Sequence, residues 1–579
     1  MKKITALLLA LMLILSVFAS CSGSQKTADD SAAFSRVTDA NLYKKAVEAL
    51  NKTEFKLDGS HEVSEDLIIA INNAEYVKPK NYIYMIGDGM GFNIVEITRA
   101  KHEDSLYQNK LAINHLPIQS SQTTYSADNQ VTDSAAGGTA LATGFKTSNQ
   151  TVAMNHDDTA AYTTLLEIAA EKGKSTGVVV TSNITDATPA AFTAHVADRY
   201  SQEEIAAQQL EKLTNGDLDI ALGGGKKYYD ADANKDALAT AKNASVTYAE
   251  SWDEATKANL PLVGLFAEEN LDTHDENTPS IAQMTDLALD LLDDDENGFF
   301  LMVEGSQIDK KAHNNDFESQ TKEMYDFDCA VAVAMRFVAL NPDTVLVITA
   351  DHETGGLEIP VDANSENFSG AYYTTGNHTY KPVPVAAFGM GTEAMLGINE
   401  NVDVARFIAT SLGEKNFGEE SQFTTIKSEF SKKDITAISD ANPTVNNHTL
   451  VEKTESGALA VHFNNSHNSL SIPVDILDTK AKLKNGMRAI HITVKNTDDK
   501  TALLPQMKAK IAYVTETLVP QVAYIDGNST MRVTYILPTW GWTEKSVDSI
   551  MELAFVYSEG QEVNLEFDDF VLVTRADNK

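Results

Sequence analysis

From about residue 80 the chain alternates short apolar runs with amphipathic stretches of helical period. Apolar runs at 82–86, 176–181, 219–222, 299–303, 344–349 and 383–388 predict strands. Between and after them, 162–171, 201–213, 281–292, 325–339 and 402–412 predict helices. Such alternation predicts an α/β fold: a doubly wound, largely parallel sheet flanked by helices. Upstream, 39–50 and 64–71 predict a helical lead-in. Residues 416–446 are polar, include Asn442-Pro443, and predict a linker. Beyond it the period switches to two, with short runs at 458–463, 469–476, 489–494, 508–513, 531–536, 553–557, 563–567 and 570–573. These predict a C-terminal all-β sandwich over 447–579.

The N-terminus has a pattern of its own. Lys2 and Lys3 precede an apolar run from 4 to 18 broken only by Thr5 and Ser16, followed by Ala19, Ser20 and Cys21. The run falls short of the ~20 residues a membrane-spanning helix needs. Residues 1–20 therefore predict an export signal, and the Val17-Phe18-Ala19-Ser20-Cys21 ending resembles a lipoprotein cleavage box that leaves Cys21 lipidated at the outer face of the membrane. The polar residues after Cys21 suit a tether, so 21–78 reads as tether plus lead-in.

Composition narrows the partners. With 83 acidic against 46 basic residues and a net charge of −37, a phosphate backbone is excluded as the main partner, so no nucleic-acid partner is expected. Two cysteines permit neither a disulfide framework nor a thiolate zinc site. Cys329, within Phe327-Asp328-Cys329-Ala330-Val331, reads as a small buried hydrophobe.

In an open α/β sheet, ligands bind beyond the carboxyl ends of the strands. The 82–86 run leads into Gly87-Asp88-Gly89-Met90-Gly91. The 299–303 run leads into Glu304-Gly305-Ser306-Gln307-Ile308-Asp309-Lys310-Lys311-Ala312-His313, and 344–349 into Ala350-Asp351-His352-Glu353-Thr354-Gly355-Gly356. A single aspartate after a strand is usually a turn former or cap. Three such ends, with two histidines among them, point instead to a multi-metal site, because clustered carboxylates repel one another without cations between them. Oxygen and imidazole donors suit Zn²⁺, and all-oxygen positions suit Mg²⁺. Ser134, in Val131-Thr132-Asp133-Ser134-Ala135-Ala136-Gly137-Gly138, begins a helical stretch whose N-terminus favours an anion and makes the serine the candidate nucleophile.

These motifs, in this order, resemble the alkaline phosphatases. So do Asp186-Ala187-Thr188-Pro189-Ala190, His195-Val196-Ala197-Asp198-Arg199 and Gly376-Asn377-His378-Thr379; together the match covers about 80–412. The resemblance implies an alkaline-phosphatase-like catalytic domain over 79–415. It implies that Asp309, His313 and His378 hold one zinc, and that Asp351 and His352 hold a second with Asp88 and the Ser134 oxygen. A magnesium would be held by Asp88, Thr188 and Glu304, with Asp186 acting through water. Arg199 would clamp phosphate and Lys310 would stand behind it. The implied reaction is hydrolysis of small phosphate monoesters through a phosphoserine, with two Zn²⁺ and one Mg²⁺. A homodimer is left open, as is a glycan or cell-surface polymer on the β-domain, where Trp540 and Trp542 offer ring faces. Two alternatives stand beside this reading: a phosphodiesterase or nucleotide pyrophosphatase of the same superfamily, and a glycan-binding surface lipoprotein with an inactive α/β domain.

Overall fold

The computed structural model describes residues 38–577 except 56, 58–62, 102–110, 274–276, 360–369, 396–397, 420–422, 442–449, 455–456, 464–468, 474–486, 501, 512–513, 519–523, 526, 529, 537–549 and 557–561. Residues 1–20, Cys21, Trp540 and Trp542 thus lie outside the described residues. The α/β part holds strands β1 (Asn81–Gly87), β2 (Ile118–Thr123), β3 (Ser175–Asn183), β4 (Ile220–Gly224), β5 (Thr247–Ala249), β6 (Leu262–Leu265), β7 (Phe299–Gly305), β8 (Thr344–Thr349), β9 (Glu353–Thr354), β10 (His378–Thr379), β11 (Val383–Phe388) and β12 (Ile398–Glu400). Ten of them form one sheet in the order β12-β2-β11-β8-β1-β7-β3-β4-β6-β5. All pairings are parallel except those of β11, which runs antiparallel to both neighbours.

The central strands are buried on both faces, so continuous apolar runs such as Tyr82-Ile83-Tyr84-Met85-Ile86 are what the position requires. Helix Phe317–Leu340 covers one face. Against it lie the lead-in helices Ala40–Leu50 and Glu65–Asn73, capped by Asp39 and Ser64. The Tyr43 hydroxyl donates to the Ala339 carbonyl at 3.0 Å and Arg336 donates to the Leu50 carbonyl at 2.8 Å. Ala46, Leu50, Leu67, Ala70 and Ile71 are buried in the same core as the sheet. The lead-in belongs to the α/β core.

A second core lies further along the chain. Strands Leu450–Lys453, Leu459–Phe463, Val563–Asp577, Met487–Asn496 and Thr530–Ile536 form one antiparallel sheet, and Ser469–Ile472, Ile550–Val556, Gln506–Ile511 and Val514–Leu518 form another. Leu459, Val461, Phe463 and Phe567 of the first share a core with Leu470, Met507 and Phe555 of the second. The rings of Phe555 and Phe567 stand 5.6 Å apart. This two-sheet packing is a sandwich.

Two expected boundaries shift. The stretch expected as a linker carries strand Phe423–Glu429, paired along its whole length with Val563–Asp577, and helix Lys432–Ala441, whose Ile435 and Ile438 are buried in the sandwich core. Its polar residues hid an edge strand and an amphipathic helix. The expected strands at 563–567 and 570–573 are one strand, kinked at Asp569 with φ +47° and a register shift against Met487–Asn496. An acidic pair mid-strand marks a bulge here.

Candidate active site

Ser134 opens the helix Ser134–Thr143, with Asp133 as its cap accepting from the Ala136 N–H at 3.0 Å. Every residue of this helix is buried. Its glycines are a packing requirement. A β-carbon at Gly137 would stand 2.9 Å from the Asp351 carbonyl oxygen, and one at Gly138 would stand 3.1 Å from Thr188 Cα. Their absence lets the serine helix lie against the two segments that carry Asp351 and Thr188. The Ser134 hydroxyl consequently rests 3.1 Å from His352 Nε2.

Beyond the end of β1, Gly89 adopts φ +72°, which only glycine takes readily, and its N–H donates to Asp351 Oδ1 at 3.2 Å. The His352 N–H donates to the same oxygen at 2.9 Å. Asp351 Oδ2 and Asp88 Oδ1 are buried and have no hydrogen-bond donor among the described residues. They lie 3.2 Å and 3.5 Å from His352 Nε2.

Asp309 and His313 sit four residues apart on helix Gln307–His313, hence on one face, while the pairing of β10 with β9 brings His378 opposite Thr354. The Nε2 atoms of His313 and His378 are 3.1 Å apart and lie 3.3 Å and 3.5 Å from the Asp309 carboxylate. Their Nδ1 atoms reach the carbonyls of Gly376 at 2.8 Å and Thr132 at 2.9 Å. A carbonyl only accepts, so each Nδ1 carries a proton and, in the neutral ring, each Nε2 presents a lone pair; the Asp309 carboxylate favours the charged form of His313. Two such lone pairs facing one another beside a carboxylate repel unless a cation lies between them.

The third group is all oxygen. Glu304 lies near the end of β7 and accepts from the Ser306 hydroxyl at 2.6 Å, and the buried Thr188 hydroxyl has no partner among the described residues. Asp186 caps the next helix, Ala187–Thr193, and receives Lys310 at 2.8 Å and Arg199 at 3.3 Å. The other arm of Arg199 donates to Asp133 at 3.2 Å.

The electrostatics match this division. Burial, and then the charges of Asp351 and Asp309, push Asp88 well above the carboxylate range. Burial and Asp309 push Asp351 to about 7; burial, with Asp186 and Asp351, pushes Glu304 to about 8. Burial also opposes the charge of Asp186 but is outweighed by Lys310 and Arg199, which hold it low. His352 and His378 are lowered, chiefly by burial, and so favour neutral, ligating imidazole. Asp88, Asp351 and His352 offer donor atoms within 4.8 Å of one another, as do Asp309, His352 and His378. Orphaned buried oxygens and bare imidazole nitrogens fit divalent cations, with Zn²⁺ suited to the mixed donors and Mg²⁺ to the oxygens.

All twelve residues singled out in the sequence therefore lie in or beside these three connected groups. Sequence reasoning missed Asp133 as a partner of Arg199, because a cap explained it fully. It also missed Thr354, whose hydroxyl donates to Asp309 at 2.5 Å and lies 3.1 Å from His352 Nδ1. Position within the same motifs was the only available signal for either.

The sheet order, the serine at a helix N-terminus and the paired carboxylate–histidine groups define the class: an α/β fold with a candidate polynuclear metal site at the strand ends. The family-wide sequence profile described as "Alkaline phosphatase" matches residues 79–372, and this chain belongs to the alkaline phosphatase family. It is 39 % identical over 300 residues to alkaline phosphatase 3 of Bacillus subtilis, covering 50 % of this chain and 64 % of that protein. It thus spans under two thirds of that relative. The alkaline phosphatase of Escherichia coli is 30 % identical over 433 residues, covering 62 % and 91 %. The solved alkaline phosphatase of the Antarctic bacterium TAB5 superposes with a TM-score of 0.52 at 32 % identity, covering 60 % of this chain and 100 % of that one. A variant of that enzyme is described with Mg bound in its M3 site.

Proposed function

We propose that the protein hydrolyses phosphate monoesters to an alcohol and inorganic phosphate through a phosphoserine on Ser134, with two Zn²⁺ and one Mg²⁺. The observation that carries this is the convergence of the Ser134 hydroxyl, the bare Nε2 of His352 and the unsatisfied oxygens of Asp88 and Asp351. Asp309, His313 and His378 would hold one zinc, and Asp351, His352 and Asp88 the other. Thr188, Glu304 and Asp88 would hold magnesium, with Asp186 nearby; the Mg described at the M3 site of the TAB5 variant supports a third position. Bound cations supply charge neutralisation of the phosphoryl oxygens and a lowered pKa for the attacking hydroxyl.

The chain's own groups do the rest. Arg199, held by Asp133 and Asp186, presents its guanidinium to two phosphoryl oxygens, a geometry that favours a terminal phosphate over a diester. The Ser134 oxygen attacks phosphorus and loses its proton to solvent as the bond from phosphorus to the ester oxygen breaks; that oxygen takes a proton from water and leaves as the alcohol, and a second water then attacks phosphorus, releasing inorganic phosphate and returning a proton to the Ser134 oxygen. Lys310 keeps Asp186 charged and in place. Neither alternative reading is favoured, because Thr188, Glu304 and Arg199 complete a monoesterase set. Residues 1–20 and Cys21 would place the enzyme outside the cell on a lipid anchor, and the sandwich would serve as an accessory module; both readings rest on sequence pattern. The test is metal analysis of purified protein together with hydrolysis of 4-nitrophenyl phosphate at alkaline pH. Zinc near two per chain with activity supports the proposal, and full activity in metal-free protein overturns it.

A further inference from the structure

Next to Arg199 the chain places Tyr200, whose side is 70 % exposed, the most open of the large hydrophobic residues among those described. Its ring centroid stands 6.0 Å from the Arg199 guanidinium carbon. Tyr200 also forms one wall of an open cleft of about 600 Å³. Tyr228, Ala207 and Asn234 also line it, with the exposed Glu203 and Glu204 at its rim. The cleft is built rather than incidental. The buried Asn234 amide donates to the Glu203 carbonyl at 2.8 Å and to the Tyr228 carbonyl at 2.9 Å, so it ties the Glu203 backbone to the Tyr228 backbone. Just beyond, Tyr229 is buried with its hydroxyl donating to Gln209 at 2.6 Å, which anchors the Tyr228 side to helix Gln202–Asn215.

Neither tyrosine is needed to ligate metal or to grip phosphate. Tyr200, however, both adjoins the Arg199 guanidinium and lines the cleft, which puts its ring within reach of the alcohol portion of an ester whose phosphoryl group Arg199 holds. We propose that the Tyr200–Tyr228 cleft receives the leaving group, and that it selects monoesters of ring-bearing alcohols that are neutral or cationic. The ring stacks on Tyr200. Glu203 and Glu204 at the rim attract ammonium and accept hydroxyl hydrogen bonds, and they repel a second anionic group. Tyr200 is in this account a specificity-determining residue that acts on the leaving group and leaves the phosphoryl group to Arg199. The inference rests on the monoesterase reading of the Ser134 site.

The experiment compares the metal-loaded wild type with Tyr200→Ala and Tyr200→Phe on 4-nitrophenyl phosphate, glucosamine 6-phosphate and glycerol 3-phosphate, with inhibition by inorganic phosphate measured in parallel. The expected result for Tyr200→Ala is an approximately fivefold to tenfold fall in the ratio of kcat/KM for either ring ester to that for glycerol 3-phosphate. Tyr200→Phe should restore the ratio, and the inhibition constant of inorganic phosphate should move less than about twofold. An unchanged ratio overturns the proposal. So does an equal loss on all three esters with weakened phosphate inhibition, since Tyr200 would then act through Arg199. If the wild type hydrolyses none of the esters, it is the monoesterase reading that fails.

Discussion

The hydroxyl of Ser134 lies 3.1 Å from Nε2 of His352, although 218 residues separate them in the chain. The contact exists because Gly137 lets the serine helix settle on the Asp351 backbone. On the proposed reading Ser134 is the nucleophile, and its loss should leave the other donors standing. Ser134→Ala is expected to lower kcat by about a thousandfold or more, to abolish covalent phosphate trapped by acid quench, and to retain bound zinc by elemental analysis. Gly137→Ala should reproduce much of the kinetic defect, since its β-carbon meets the Asp351 carbonyl.

Chelation should do more than stop turnover. Asp88 and Asp351 are buried carboxylates with unsatisfied oxygens, and the Nε2 atoms of His313 and His378 face each other. Removing cations restores those unfavourable contacts. A lower melting temperature in EDTA is expected by calorimetry, reversed by Zn²⁺ with Mg²⁺, and only in part by Mg²⁺ alone.

Arg199 is tied to Asp133 and Asp186 at 3.2 Å and 3.3 Å, so its position is set before substrate arrives. Arg199→Ala should weaken inhibition by inorganic phosphate by about 10–100-fold, the worth of one to two charge-assisted hydrogen bonds. Metal content should be unchanged, because Lys310 still holds Asp186.

The segment carrying Arg199 is itself held by a charged cluster. His195 Nε2 lies 2.8 Å and Lys212 Nζ 2.6 Å from Glu167 Oε1. Burial would raise Glu167, but hydrogen bonding and charge from His195 and Lys212 bring it down to about 2 from 4.5. Its stabilisation is therefore present above pH 4.5 and is lost as pH falls toward 2. Burial would lower His195, but Glu167 raises it above 6.5, so the histidine's share is lost as pH climbs through that raised value. Glu167→Gln should cut the melting temperature by several degrees, most strongly between pH 4.5 and 6.5. The difference should shrink on either side, with a remnant from Lys212 on the alkaline side.

Where the α/β part ends and the sandwich begins matters for truncation. The Glu419 N–H donates to the Gly144 carbonyl at 2.8 Å, whereas strand Phe423–Glu429 pairs with Val563–Asp577. A protein ending at residue 421 is expected to fold, bind zinc and keep its KM for a small ester. One ending at residue 440 keeps an edge strand without its partner and a helix with Ile435 and Ile438 uncovered, and should aggregate in light scattering. Loss of activity in a folded chain ending at 421 would make the sandwich part of the catalytic unit.

What the sequence disclosed follows from how each element is stabilised. β1, β3, β4, β7, β8 and β11 are apolar because both faces are covered, so their runs stood out. β2 was invisible because it reads Ile-Gln-Ser-Ser-Gln-Thr. Two of its polar side chains find distant partners: Ser120 donates to the Met395 carbonyl at 2.6 Å and Gln122 to the Ala350 carbonyl at 2.9 Å. Partners 228 or more residues away leave no periodic trace. The site was legible for the opposite reason. Its side chains sit immediately after apolar strands, where a run of carboxylates and imidazoles has no packing role. The residues that orient them, Asp133 and Thr354, had ordinary local explanations and stayed hidden.

The donors to the candidate cations come from the ends of β1, β7 and β8 and from β10, which are far apart in the chain. Each bound ion would therefore act as a clasp across the ends of the central strands, closing long loops whose entropy otherwise favours release of the strands. Seen this way, the ions also set how the molecule ages. A protease would cut the metal-free fraction first, so the supply of those ions would govern the lifetime of the protein as well as its rate.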